Sequence, residues 1–78
     1  MIAEVIRVWP GEKRTTVIAR DEADGREKSC FVWLDTPSGA LVAALCERIE
    51  KTHRRIVLTV KPKHRHFGYE IEDAELMA

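Results

Sequence analysis

The sequence predicts one small, mainly β domain with five strands and a single helix between the third and fourth strands. Short runs of β-branched and aromatic residues are separated by turn signals, and one later stretch has the apolar spacing of a helix. A chain of 78 residues has room for one core, so the predicted domain spans residues 1–78.

The first three strands come before any helical pattern. Residues 2–9 are rich in β-formers, alternate imperfectly, contain no glycine, and stop at Pro10-Gly11. Residues 15–20 are largely β-branched, and the acidic stretch that ends at Asp24-Gly25 is typical of a hairpin turn. Residues 28–34 therefore form a third strand, antiparallel to the second.

The helix follows a capping signal. Asp35 or Thr36 suits the N-cap, and Pro37 suits the first turn, where a missing N–H costs nothing. We expect the helix to end near Thr52. Its apolar stripe, which we expect to lie on the core, consists of Leu41, Val42, Leu45, Cys46 and Ile49.

Two more strands complete the domain. Residues 54–61 have strand character until Pro62 removes a hydrogen-bond donor, and residues 67–72 alternate apolar with small or acidic side chains. Residues 73–78 are expected to be a tail. The predicted order is β-β-β-α-β-β.

Composition excludes several functional classes. The 13 Lys and Arg residues balance 13 Asp and Glu residues, and no signal peptide or membrane-length apolar run is present, so we expect a cytoplasmic protein. Cys30 and Cys46 lie in apolar runs without C-x-x-C spacing, which favours buried reduced thiols. No catalytic motif occurs, and Ser38-Gly39 is a helix start, so we predict neither an enzyme nor a cofactor.

In its element order the chain resembles the OB-fold, a five-stranded barrel whose only helix lies between strands three and four. The resemblance covers nearly the whole chain and is one of topology. It implies a closed barrel. In members that bind nucleic acid, the ligand crosses strands two and three, between the loops that join the first two and the last two strands. By position, those regions are residues 9–14, 16–20, 28–33 and 61–67.

Phe31 and Trp33 are the candidate stacking residues. They lie on one side of the third strand, opposite Cys30, Val32 and Leu34, because strand side chains alternate. If the aliphatic set fills the barrel, the two rings form an outer platform for bases. The alternative is that the rings belong to the core or pack beneath a loop.

Positive side chains supply candidate phosphate contacts. Four lie near the platform: Lys13 and Arg14 in the first loop, and Arg20 and Lys28 beside the hairpin. Their alternative is pairing with the acids Glu12, Glu22 or Glu27. The densest group, here called the basic segment, has no acid within it and consists of Lys61, Lys63, His64, Arg65 and His66.

The stretch from Lys51 to His66 carries six Lys or Arg residues, three His and no acid, which indicates an anionic partner at one face of a neutral protein. His64 and His66 lack a third ligand at a usual spacing, so they favour pH-dependent anion contacts over a metal site. We therefore predict a non-catalytic module that binds single-stranded DNA or RNA. The alternative is a protein-interaction module, such as an adaptor, an inhibitor or a phage- or plasmid-type accessory protein. In a variant of this alternative, the basic segment of one copy contacts the acidic tail of another.

Overall fold

The computed structural model describes residues 1–64 and 68–77, with the side chains of residues 62–64 outside the description. Five strands and one helix follow one another in the predicted order. Their bounds are β1 Ile2–Trp9, β2 Arg14–Asp21, β3 Glu27–Trp33, α1 Pro37–Ile49, β4 Arg55–His64 and β5 Gly68–Leu76.

The strands close into a barrel in the order β1-β2-β3-β5-β4, with β4 returning to β1. The β1–β2, β2–β3 and β4–β5 pairs are antiparallel ladders of six or more residue pairs. Two short contacts complete the closure: among the described residues, β3 pairs in parallel with β5 at two positions, and β1 pairs with β4 at three. The OB-like topology and the mainly β class are thus confirmed.

Both later strands are longer than the sequence predicted. β5 continues through the expected tail to Leu76, because residues 73–76 extend its antiparallel ladder along the first half of β4. β4 passes Pro62, where the ladder shifts register. A proline is tolerated at such a bulge because the regular hydrogen-bond pattern is already interrupted there.

A β-bulge bends β1 in place of the glycine that this strand lacks. The pairing with β2 shifts between Val5 and Arg7, which leaves Ile6 as the extra residue. Val5 and Val8 consequently both point into the core, although three positions separate them. The bulge reverses the facing of every residue that follows it in the strand.

The helix lies against the barrel with a face different from the predicted one. Its buried residues include Val42, Cys46 and Ile49, as expected, but Leu41 is 72% exposed and Leu45 only partly buried. Gly39 explains the rotation, because a Cβ there would overlap the carbonyl oxygen of Trp33. The helix approaches the end of β3 through its smallest residue.

Both ends of the helix are fixed by hydrogen bonds. At its start the Thr36 hydroxyl accepts from the Gly39 N–H at 3.1 Å, which confirms one of the two predicted caps, with Pro37 in the first turn. The helix ends at Ile49, earlier than predicted, because Glu50 takes an extended ψ of 126° and Lys51 a left-handed φ of 61°. At this end Glu50 Oε2 accepts from the Val8 N–H at 2.7 Å.

Cys30 and Cys46 are buried free thiols, as predicted. Burial raises the pKa of Cys30 to about 11 and that of Cys46 to about 12. Both thiols therefore stay protonated and unreactive near neutral pH.

In the described part of the chain, no helix has the length and apolar character that crossing a bilayer requires.

Candidate functional site

The candidate site lies on the outer face of β1, β2 and β3. Cys30 and Val32 of β3 are fully buried in the barrel core, so alternation turns Phe31 and Trp33 outward. This facing was one of the two alternatives left open by the sequence. Trp33 is 39% exposed and offers part of its ring to solvent.

Phe31 does not offer an open ring, so the predicted platform of two exposed aromatics is wrong in this respect. Only 2% of the residue is exposed. The Trp33 ring packs against Phe31 in an edge-to-face arrangement, with 5.5 Å between centroids and 80° between planes. The Arg14 guanidinium lies 5.4 Å from the same centroid. The buried Phe31 ring therefore packs against the Trp33 ring and helps to hold it in place.

Arg14 belongs to the aromatic cluster. Besides its contact with Phe31, its guanidinium carbon lies 5.9 Å from the centroid of Trp33, and the two residues are register partners across β2 and β3. The quadrupole of each ring attracts this cation. A positive charge is thus held over the ring of a partly exposed indole.

Trp9 is a surface aromatic that the sequence interpretation included in the first binding region, residues 9–14, but did not choose as a stacking residue. It is 49% exposed, and the Arg7 guanidinium lies 5.2 Å from its ring centroid. Register places Trp9 beside Thr16, and Thr16 beside Phe31, so all three share one row of the outer face. Two arginine–aromatic pairs therefore lie on the same side of the sheet.

The signal that could have revealed the outward orientation of Trp9 is the charge of Arg7, two residues before it. Strict alternation from Ala3 and Val5 would send Arg7 and Trp9 into the core. An unpaired arginine is not tolerated inside so small a barrel. The charge of Arg7 thus indicates that the alternation of inward and outward side chains shifts before Trp9. The bulge at Ile6 produces this shift.

Lys28 is engaged by acids of the hairpin and does not extend toward the platform. Its Nζ lies 2.7 Å from Asp21 Oδ2 and 3.1 Å from Asp24 Oδ2, and 5.9 Å from the Tyr69 ring centroid. The hydrogen bond to Asp21 is the main cause that raises the pKa of Lys28. The same bond, with a second from the Ala23 N–H, lowers the pKa of Asp21.

Arg20 is likewise paired. Its guanidinium lies 3.2 Å from Glu4 Oε1 and 3.2 Å from Glu27 Oε2. Glu4 also contacts His53, whose Nδ1 lies 3.1 Å from Glu4 Oε2. Both hairpin cations therefore pair with acids, as the alternative held. Of the acids named for it, Glu27 is a partner, and the other partners are Glu4, Asp21 and Asp24. A phosphate would have to compete with these carboxylates.

The remaining predicted contacts lie around the site to different degrees. Lys13 is exposed in the β1–β2 loop, where its carbonyl accepts from the Leu34 N–H at 3.0 Å. Lys61 is exposed on β4. Lys63 and His64 lie in β4, and their side chains are outside the described part of the structure. Arg65 and His66 lie outside the described residues.

A shallow cavity of about 290 Å³ adjoins the exposed side of Trp33. Its lining combines the indole with a cation, two acids and one aliphatic side chain, from Glu12, Lys13, Trp33, Leu34 and Asp35. The β1–β2 loop and the end of β3 thus form a concave surface beside the ring. A concave surface encloses more of a bound group than the flat face of a sheet does.

Within residues 1–64 and 68–77, no group of three His, Cys, Asp or Glu side chains is arranged to hold a metal ion. Comparison with protein-family models, with curated proteins and with solved structures gave no match. The chemistry of the site therefore has to be inferred from its own residues.

Proposed function

We propose that this protein is a non-catalytic module that binds single-stranded DNA or RNA on the outer face of β1, β2 and β3, without a cofactor. One observation carries the proposal. Trp33 is a partly exposed indole that is held in orientation by its edge-to-face contact with Phe31 and by the Arg14 guanidinium. A ring held in this way stacks on a base at little cost in side-chain entropy.

Trp9 gives the face a second stacking position. It lies two strands across and two residues along the sheet from Trp33, which corresponds to about 12 Å between their Cα atoms for ordinary strand spacing and rise. The two rings are too far apart to share a base. A strand that follows the sheet across β2 would therefore place two different bases on them.

Arg7, Arg14 and Lys13 supply positive charge along that path. The first two lie beside the exposed indoles, and Lys13 lines the cavity next to Trp33. Contacts to phosphates position the chain but do not read its sequence. We therefore expect binding that depends on salt and has little sequence preference.

The test is a titration of labelled single-stranded DNA, single-stranded RNA and duplex DNA, followed by fluorescence anisotropy at two salt concentrations. Trp33→Ala should weaken single-strand binding by about 5- to 150-fold, since a stacked base contributes about 1–3 kcal/mol. Trp9 and Trp33 are the two tryptophans of the chain, so each single variant leaves one indole whose quenching reports on its own position.

Charge variants supply the matched control. Lys13→Ala should lower the slope of log affinity against log salt by about 0.7, the value of one single-strand phosphate contact. Arg26→Ala removes the same charge from the exposed hairpin at the opposite end of β2 and β3, and should leave the slope unchanged. Equal slopes for both variants would place the phosphate path elsewhere, and no binding at low salt would refute the proposal.

A protein-interaction module remains the second candidate, and the ion pairs favour it. Arg20 and Lys28 are bound by acids of the same chain, so neither is a free phosphate contact. Trp9 and Trp33 would then be anchors for a partner protein, a role in which tryptophan is enriched. Absence of nucleic-acid binding at low salt, with the fold intact, would support this function.

A further inference from the structure

Trp33 lies between two shallow cavities that share a carboxylate. Glu12 and Asp35 line the cavity beside the β1–β2 loop. A second cavity, also of about 290 Å³, lies between the end of β3, the start of α1 and the middle of β5, and Asp35 lines it as well. Both volumes are at the lower limit of small-molecule pockets, so each has room for one small group such as a base.

The arginines of the site lie on a different side of the Trp33 ring. Arg14 approaches the ring from β2, and neither cavity has Arg14 or Phe31 in its lining. Arg7 lies one strand further away, on β1. Among the described residues, Lys13 is the one cation that lines either cavity. A nucleotide stacked on Trp33 is therefore oriented, with its phosphate toward β1 and β2 and the edge of its base toward the carboxylates.

The carboxylates of Glu12 and Asp35 are available to a ligand. Both residues are exposed, and among the described side chains neither forms an ion pair. An ionised carboxylate only accepts hydrogen bonds, and its two oxygens match a group that offers two adjacent N–H donors. The cavities beside Trp33 therefore favour a base with donors along its outer edge.

We propose that the base bound on Trp33 is guanine, selected by the carboxylate of Asp35 with that of Glu12 beside it. Guanine presents two adjacent donors, N1–H and the N2 amino group, on its Watson–Crick edge, the edge along which single-stranded bases are read. Adenine and cytosine have a ring acceptor beside their amino group. Thymine and uracil have a carbonyl on each side of N3–H, and a carboxylate repels these oxygens.

This inference rests on the proposed function and concerns one position of the strand. Phosphate contacts do not read sequence, so the other positions keep their lack of preference. Asp35 is assigned the main role because it borders both cavities, whereas Glu12 borders one.

The experiment compares short labelled thymine strands that carry one central guanine, 7-deazaguanine or hypoxanthine, or no substitution, by fluorescence anisotropy. Uracil strands of RNA are measured in the same way. Guanine should raise the affinity at least about fivefold, the low end for a bidentate contact to a base. 7-Deazaguanine keeps both donors and should equal guanine. Hypoxanthine lacks the N2 amino group and should lose most of the gain.

Protein variants test the assignment to Asp35 through the ratio of guanine to thymine affinities. Asp35→Asn replaces one acceptor oxygen with a donor and should bring the ratio close to one, whereas Glu12→Gln should lower it less. Glu47→Gln removes the same charge from an exposed position of α1 outside both linings and should keep the ratio. The ratio is the readout because loss of any acid changes the affinity for every strand through net charge.

The outcomes separate this inference from the proposed function. An affinity of Asp35→Asn for the thymine strand at least equal to that of the unchanged protein shows that the variant is folded. Equal affinities of the unchanged protein for all strands would overturn the guanine assignment and leave single-strand binding intact. A guanine preference that survives in Asp35→Asn would overturn the role of this carboxylate. No binding of any strand at low salt would refute both proposals.

Discussion

The hydrogen bond between Glu50 and Val8 should be one of the larger single contributions to stability in this small domain. β4 pairs with β1 only at Ile2, Ala3 and Glu4, so the Val8 N–H lies on a strand edge that β4 has left. The Glu50 carboxylate fills the gap at 2.7 Å. A hydrogen bond to a charged acceptor stabilises a fold by about 1.5–3 kcal/mol.

An opposing effect reduces the net value. A carboxylate at the C-terminal end of a helix meets the negative end of its dipole, at a cost of about 0.3–1 kcal/mol. Glu50→Ala should therefore lower the free energy of unfolding by about 1–2 kcal/mol. For a domain of this size, that corresponds to a fall in Tm of roughly 5–15 °C.

Thermal unfolding followed by circular dichroism measures this change. Glu50→Gln keeps an acceptor oxygen without the charge and should recover about half of the loss. Glu47→Ala removes an exposed carboxylate from the same helix and should stay within about 0.5 kcal/mol of the unchanged protein. If Glu50→Ala and Glu47→Ala unfold at the same temperature, this account of how the free edge of β1 is stabilised is wrong.

The packing and the pKa shifts lead to four more predictions. Gly39→Ala should cost at least about 2 kcal/mol in urea unfolding, because its Cβ meets the β3 backbone. The lowered pKa of Asp21 contributes stability that is present above the ordinary carboxyl pKa of 3.8 and lost as pH falls through the folded value; Lys28→Met should flatten this acid loss in melts at decreasing pH. Cys30 and Cys46 should resist a thiol reagent near neutral pH in the native protein and react on unfolding. Their raised pKa values also predict that stability falls as pH rises above the ordinary thiol value of 9.0.

The order of elements was readable because its signals are local. Pro10-Gly11 and Asp24-Gly25 are turn sequences whatever surrounds them, and Thr36-Pro37 marks a helix start through its own backbone preferences. Each fell where the structure has a strand end or a cap. The facing of Phe31 and Trp33 was reduced to two alternatives by alternation alone.

The errors arose where tertiary packing decides. Leu41 fits an apolar stripe by spacing, but the close approach at Gly39 turns a different face of the helix to the barrel. Phe31 is outward by alternation and still buried, because Arg14 and Trp33 cover it. Trp9 faces outward through a bulge, which depends on pairing between strands and leaves only the charge of Arg7 as a trace in the sequence.

The two short contacts that close the barrel divide it into a three-stranded meander and a two-stranded hairpin. β3 meets β5 at Cys30 and Phe31, and β1 meets β4 at only three positions, whereas the ladders inside each half are long. Amide hydrogens at these two joints should exchange with solvent before those within the halves. Phe31, which supports the indole of Trp33, lies in the β3–β5 joint. Opening of that joint would loosen the aromatic surface while both halves of the barrel stay folded.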